Sequence, residues 1–274
     1  MSTNVAQQSS TTIELRSIPT LPPVHWTERY FRLVWGSVGI VGCLFCWQLG
    51  SSIGVFDPLF VSSPAEVART AVKLLPSPEF LGHLLITAEC LFLGLFSAVV
   101  VGVLIGLPIG WFPRLHAIFE PVIAAVYGVP YIAFLPVIIM WTGIGMASRV
   151  IIVFWSAVFP LIINSVQGAR EVDDNFLRVA RSFSATKLQI FATIALPSSV
   201  PYILAGLRTS IGRAIVGVVV AEFFMSSKGL GYFINLKANA LEMAPAFVAI
   251  VLLALFGIAL VAVVTYVENR FCNW

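Results

Sequence analysis

Charged side chains are scarce in this sequence. Asp, Glu, Lys and Arg make up 11% of its 274 residues, against roughly a quarter in a water-soluble domain. A chain with so little charge and 59% apolar residues cannot cover a water-facing surface, so it is read as an integral membrane protein. The formal net charge of +3 is small and its basic residues are dispersed among loops, which leaves no footprint for nucleic acid. Four cysteines give no disulfide framework. Cys43 and Cys46 form a CxxC inside an apolar run, where packing is expected rather than metal or redox work. The three histidines, His25, His83 and His116, are scattered near the ends of apolar stretches, and none is given a catalytic role. No metal site is expected. The sequence has no GxxxxGK[ST] loop, no HExxH, no GxSxG and no cluster of His and Asp within an apolar run. No cofactor is therefore assigned to this chain, and any ATP-driven work must draw its energy from another polypeptide.

What the chain does have is long uncharged windows. Charges are absent between Arg32 and Asp57, Glu89 and Arg114, Glu120 and Arg149, Arg149 and Arg170, and Glu242 and Glu268. Each window reaches the ~20 residues a helix needs to cross roughly 30 Å of hydrocarbon. A further span, near 200–225, carries Arg208, Arg213 and Glu222. The fold class is therefore all-α, a polytopic membrane protein with six helical spans near 33–53, 88–111, 118–141, 148–168, 200–225 and 245–267. Residues 1–32 are polar and read as a tail, and 33–274 as the transmembrane domain. The first apolar run is too long for a signal-peptide core and is read as a retained span.

Orientation follows from Lys and Arg. With the N-terminus inside, Arg16, Arg29, Arg32, Arg114, Arg170, Arg178, Arg181, Lys187 and Arg270 are cytoplasmic. Arg69, Lys73, Lys228 and Lys237 lie outside, with Arg149 at the outer edge. Both termini are then cytoplasmic. In the first outer loop, Ser63-Pro64-Ala65-Glu66 is a helix start.

The longest charge-rich segment is 171–197, between two apolar spans. It reads as two short amphipathic helices joined at Ser182–Thr186, with Asp173, Asp174 and Asn175 offering a cap. Phe176, Leu177 and Ala180 form an apolar stripe flanked by Arg178 and Arg181, and such a stripe needs a partner to cover it. In the third span, Pro121, Pro130 and Pro136 interrupt the helix around Tyr127, Gly128, Tyr131 and Phe134. Interrupted helices with aromatic residues at membrane depth suit either a substrate path or a kinked packing helix. In the fifth span, at about 100° per residue, Gly206, Ser210, Arg213 and Gly217 share one face, and Arg208 and Glu222 the opposite one. A charge at the bilayer centre costs about 2.5–3.5 kcal/mol, so this helix is expected to be covered on both sides. Gly206, Ser210 and Gly217 are read as a seam at or near an interface with a second copy. Arg213 and Glu222 are equally suited to a buried ion pair or to the path, and Arg208 to snorkelling at the interface. Asn164 and Gln167, near the inner end of the fourth span, are expected to bond to neighbouring helices.

The 171–197 stretch resembles the EAA coupling loop of ABC importer permeases, in the branch that serves nitrate, sulfonates and taurine. That loop reads close to EAARxLGAS, then LP. Here residues 178–186 and Leu196-Pro197 fill the frame, with Arg178 where the motif has Glu and Ser184 where it has Gly. The resemblance continues in Leu135-Pro136, Trp141-Thr142-Gly143-Ile144-Gly145, Pro201-Tyr202-Ile203-Leu204-Ala205-Gly206-Leu207-Arg208, Ala221-Glu222 and Gly229-Leu230-Gly231-Tyr232. Cys90 stands where the branch often has Arg. The resemblance covers the chain from about Phe60 onwards. It implies a permease subunit of a bacterial inner membrane, not itself an enzyme. It implies a second permease copy, identical or different, two cytoplasmic ATPase subunits carrying ATP and Mg, and an external solute-binding protein. Phe176, Leu177, Arg178, Ala180, Arg181, Ser184 and Ala185 would meet the ATPase. A small anion is the first expectation for the substrate, and a pyrimidine or vitamin precursor or an aromatic acid the second. A passive channel and an intramembrane enzyme are the rivals from other classes.

Overall fold

The computed structural model describes residues 26–57 and 59–271; residues 1–25, which include His25, Arg16 and most of the expected tail, lie outside the described residues. The described residues are mostly helical, without a strand among them. The chain divides into two compact units after Trp47. In the first, helix α1 (Trp26–Ser52) begins within the segment read as tail, several residues before the uncharged window that starts at 33. Phe31 and Trp35 lie one turn apart on it, ring centroids 5.6 Å apart. Cys43 and Cys46 are exposed on α1.

The second unit is built on three long helices. Helix α6 (Met146–Arg170) runs between α3 (Pro78–Trp111) and α9 (Leu196–Met225) and packs along both. The reason is a stripe of small residues. On α3, Gly94, Ala98, Gly102, Gly106 and Gly110 recur every four residues and so stay on one face. A Cβ on Gly106 would stand 2.6 Å from the Ser165 Cβ and 2.8 Å from the Ile162 carbonyl oxygen. The two backbones touch, as small residues permit in membrane helices. Leu91, Val153, Leu161 and Val218 close the core around this contact.

Around this core lie α2 (Pro64–Leu74), α10 (Leu230–Asn239) and α11 (Met243–Phe271). α2 starts where Ser63 predicts, and the Ser63 side chain accepts the Glu66 N–H. α2 packs on α11, and α11 packs on α9 and α10. Five described helices are long and apolar enough to span a membrane. The sixth candidate is a bent pair, α4 (Pro113–Gly128) and the segment Tyr131–Thr142, which ends in α5 (Leu135–Thr142), at 79° to each other. The break falls at Val129–Pro130. Pro130 lacks an N–H and forces Val129 into an extended conformation (φ −79°, ψ 129°), so α4 stops there. Pro121 is accommodated inside α4, and Pro136 sits in the first turn of α5, where proline is tolerated.

Candidate functional site

The hairpin folds as its sequence dictates. Helix α7 (Asp174–Ser182) is capped by Asp173, which accepts the Asn175 N–H at 2.8 Å. Helix α8 (Lys187–Ile190) opens on a capping box in which Thr186 and Gln189 satisfy each other's backbone. Between them, Ser184 holds φ +59°, the left-handed conformation that the motif's glycine would adopt freely. A π-turn over Phe191–Ala195 then leads into α9.

The apolar stripe is placed differently from the expectation. Leu177 and Ala180 are only half exposed, and Leu177 lines a cavity against the bundle. Phe176, Val179 and Phe183 are the residues that face outward, Phe183 being 81% exposed. The spacing 176, 179, 183 is also helical, so Val179 and Phe183 were legible as an alternative stripe. Arg178, Arg181 and Ser184 are exposed, and Ala185 is partly covered.

The broken span and α9 bring Tyr127 and Arg213 together. The Arg213 guanidinium carbon lies 5.0 Å from the centre of the Tyr127 ring, and Tyr127 leans on Phe159 of α6. Both Tyr127 and Arg213 are exposed, and among the described residues Arg213 has no carboxylate partner. Stacking on an aromatic face offsets part of a guanidinium's cost in an apolar medium. Pro130 is exposed at the break. Tyr131 and Phe134 turn instead onto the cluster of Leu135, Ile152, Ala221 and Met225, and Phe134 stacks on Trp155 at 5.2 Å.

Glu222, expected in a path or in a buried ion pair, is fully buried in a hydrogen-bonded joint and forms no salt bridge among the described residues. The Thr87 hydroxyl lies 2.8 and 3.0 Å from its two carboxyl oxygens, and the Gly231 N–H donates to one of them at 2.7 Å. Thr87 in turn accepts the Leu230 N–H, and His83 accepts the Gly229 N–H through Nδ1. The first amides of α10 are thus held by side chains of α3 and α9, which supply the partners that a buried helix N-terminus needs. Gly229 holds φ +115°, and a Cβ on Gly231 would stand 2.9 Å from the Glu222 Cβ. The Ala221-Glu222 and Gly229–Tyr232 motifs are therefore one structural joint.

The proposed interface seam is also corrected. Ser210 donates to the Ala157 carbonyl at 2.7 Å, Gly206 abuts Asn164, and Gly217 abuts Ser156. All three are buried against α6 of the same chain, because α6 carries the matching small residues. Arg213 lies off this seam. Arg208 pairs with Glu268 of α11 rather than reaching for the interface alone. Asn164 donates to Pro160 of its own helix instead of a neighbour. Arg149, expected at an edge, is 9% exposed, and its Nε donates to the Gly145 carbonyl.

A bundle of membrane-length helices, one pair bent at Pro130 beside an arginine with no carboxylate partner among the described residues, and an amphipathic hairpin between two of the helices, is the makeup of the membrane subunit of a transport system. Residues 98–272 match the family of binding-protein-dependent transport system inner membrane components, and the chain belongs to that family. The putative aliphatic sulfonates transport permease protein of Bacillus subtilis is 31% identical over 83% of this chain and 83% of its own. The formylaminopyrimidine transport permease protein of Halalkalibacterium halodurans is 28% identical, over 90% of this chain and 98% of its own. Among solved structures, the methionine ABC transporter MetNI in an inward-facing conformation aligns with a TM-score of 0.57 at 18% identity. That alignment takes in 71% of this chain and 96% of the other, and it supports the fold. The chain is an ABC importer permease and not itself an enzyme.

Proposed function

We propose that this permease carries a small organic anion of the sulfonate class, and that Arg213 meets the anion in the path. The observation that carries this reading is the exposed guanidinium of Arg213 against Tyr127, with no carboxylate partner among the described residues, beside the break in the third span. An uncompensated cation near the middle of α9 is costly in lipid, and it is tolerated where water or an anion reaches it. Two copies of the chain, identical or paired with a related one, would face each other across that path. The hairpin would stand on the cytoplasmic side with both termini and dock on an ATPase through Phe176, Val179 and Phe183. Phe176 and Ala180 belong to the stripe read from sequence, while Leu177 supports the hairpin from within. Arg178 would then meet an acidic group on that ATPase, because a buried like-charge contact costs several kcal/mol. ATP and Mg would reside on the ATPase, and a solute-binding protein would deliver the substrate to the far end.

A formylaminopyrimidine is the second reading, favoured by the aromatic face of Tyr127 and by the second relative's printed name. The test is Arg213→Met in the reconstituted transporter. Under the anion reading, ATP hydrolysis persists and uptake of an alkyl sulfonate falls at least tenfold. Unchanged sulfonate uptake would refute it. A thiol probe of Cys at 213, in a background without other cysteines, should label in a nucleotide-dependent way, and full protection in every state would exclude Arg213 from the path.

A further inference from the structure

Beneath α7, on the side away from Phe176 and Phe183, lies a cavity of about 500 Å³. Arg170, Arg181 and Lys187 line it together with His116, against a single lining carboxylate, Asp174. Arg170 and His116 are in direct contact, and His116 Nδ1 is 3.3 Å from Glu120 on its other side. Three permanent cations around one open space, with one acid among them, make a positive field that draws an anion. The cavity has walls from two bodies. Trp111, Phe112 and Arg170 belong to the bundle, and Leu177, Arg181 and Lys187 to the hairpin.

A second pocket, of about 250 Å³, adjoins the first. Trp111, Phe112 and Lys187 line both. The second is walled otherwise by Pro108, Leu188 and Phe191, and its lining is almost wholly apolar. Leu188 is 76% exposed and Phe112 about half exposed, so the pocket is open to the surface. A cationic chamber joined through one lysine to an apolar cleft has the chemistry of an amphiphile with an anionic head. Basic pockets between membrane helices bind phospholipid headgroups in this manner.

We propose that an anionic phospholipid binds here, its phosphate among Arg170, Arg181 and Lys187 and the start of an acyl chain along Trp111, Leu188 and Phe191. One lipid would then hold the hairpin to the bundle from the inner side while Phe176, Val179 and Phe183 stay free. The binding itself does not depend on what the transporter carries.

The test is native mass spectrometry of the full chain, in detergent supplemented with phosphatidylglycerol or phosphatidylcholine. The expected result is one retained phosphatidylglycerol per chain, held at least about tenfold more strongly than phosphatidylcholine. Each of Arg181→Glu and Lys187→Glu should weaken retention by about fivefold or more, the effect of one basic group near an anionic headgroup. Lys187→Arg, which keeps the charge, should retain it and controls for folding. Soluble glycerol phosphate should compete at least about tenfold less well, the contribution of burying two methylenes. Equal retention of both lipids overturns the proposal. So does glycerol phosphate or inorganic phosphate competing as well as the lipid, because the cavity would then be a site for free anions. Retention unchanged in both charge-reversal variants also overturns it.

Discussion

Replacing Glu222 separates a hydrogen-bonded joint from a functional charge. In the structure the Glu222 carboxyl group serves as acceptor for the Thr87 hydroxyl and the Gly231 N–H. Glu222→Ala removes both acceptors from a fully buried place. A buried donor left without an acceptor costs about 1–3 kcal/mol. Interhelical side-chain bonds in membranes average only about 0.6 kcal/mol, because alternative partners are found. The Thr87 hydroxyl can turn back to a carbonyl of its own helix, but the Gly231 amide, in the first turn of α10, has no such recourse. The loss should therefore come to about 1.5–3 kcal/mol, a rise of about 13- to 160-fold in the open population of the Gly229–Gly231 turn. Glu222→Gln should cost under about 1 kcal/mol. Its oxygen can accept the Gly231 N–H, and its amide can donate to the Thr87 oxygen, which already accepts from Leu230. Hydrogen exchange at residues 229–231, in the full chain in detergent, reads the opening directly. Exchange accelerated by the alanine and nearly unchanged by the glutamine is the expected pattern. If glutamine accelerates exchange as much as alanine, the charge and not the hydrogen bonding holds the turn, and the reasoning is refuted.

Two further outcomes follow from the packing and from the hairpin. Gly106→Leu should destabilise the bundle by about 1–3 kcal/mol, since its side chain has no room against Ser165 and Ile162, while Leu104→Phe on the exposed face of α3 should change the thermal midpoint little. Phe183→Asp should weaken capture of the co-purifying ATPase by about 2 kcal/mol or more, roughly thirtyfold, with helical content intact, and Leu177→Asp should instead lower the stability of the permease alone.

Much of the architecture was legible because charge and apolar length act locally. The uncharged windows locate the spans, Ser63 and Thr186 mark helix starts, and Pro130 marks the break. Burial of polar groups was less legible, because it depends on partners far along the chain. The partner that holds Glu222, Thr87, lies 135 residues earlier in the chain. The seam of Gly206, Ser210 and Gly217 was read correctly as a place of close approach, but its partner was not. The stripe from Gly94 to Gly110 was the missing signal. It shows that α3 also approaches a neighbour closely, which leaves α6 between two small-residue faces of one chain. On α7 the apolar residues cover more than one side of a short helix, and periodicity alone could not say which side the bundle covers.

The central claim is that this chain forms the membrane path of an importer driven by a separate ATPase. The most direct measurement is uptake of a radiolabelled alkyl sulfonate into proteoliposomes, using the permease purified with its co-purifying ATPase and supplied with the solute-binding protein. The account predicts accumulation that needs ATP and the binding protein together, and that is lost when Phe183→Asp releases the ATPase. Equal uptake without ATP, or with the permease alone, would contradict it.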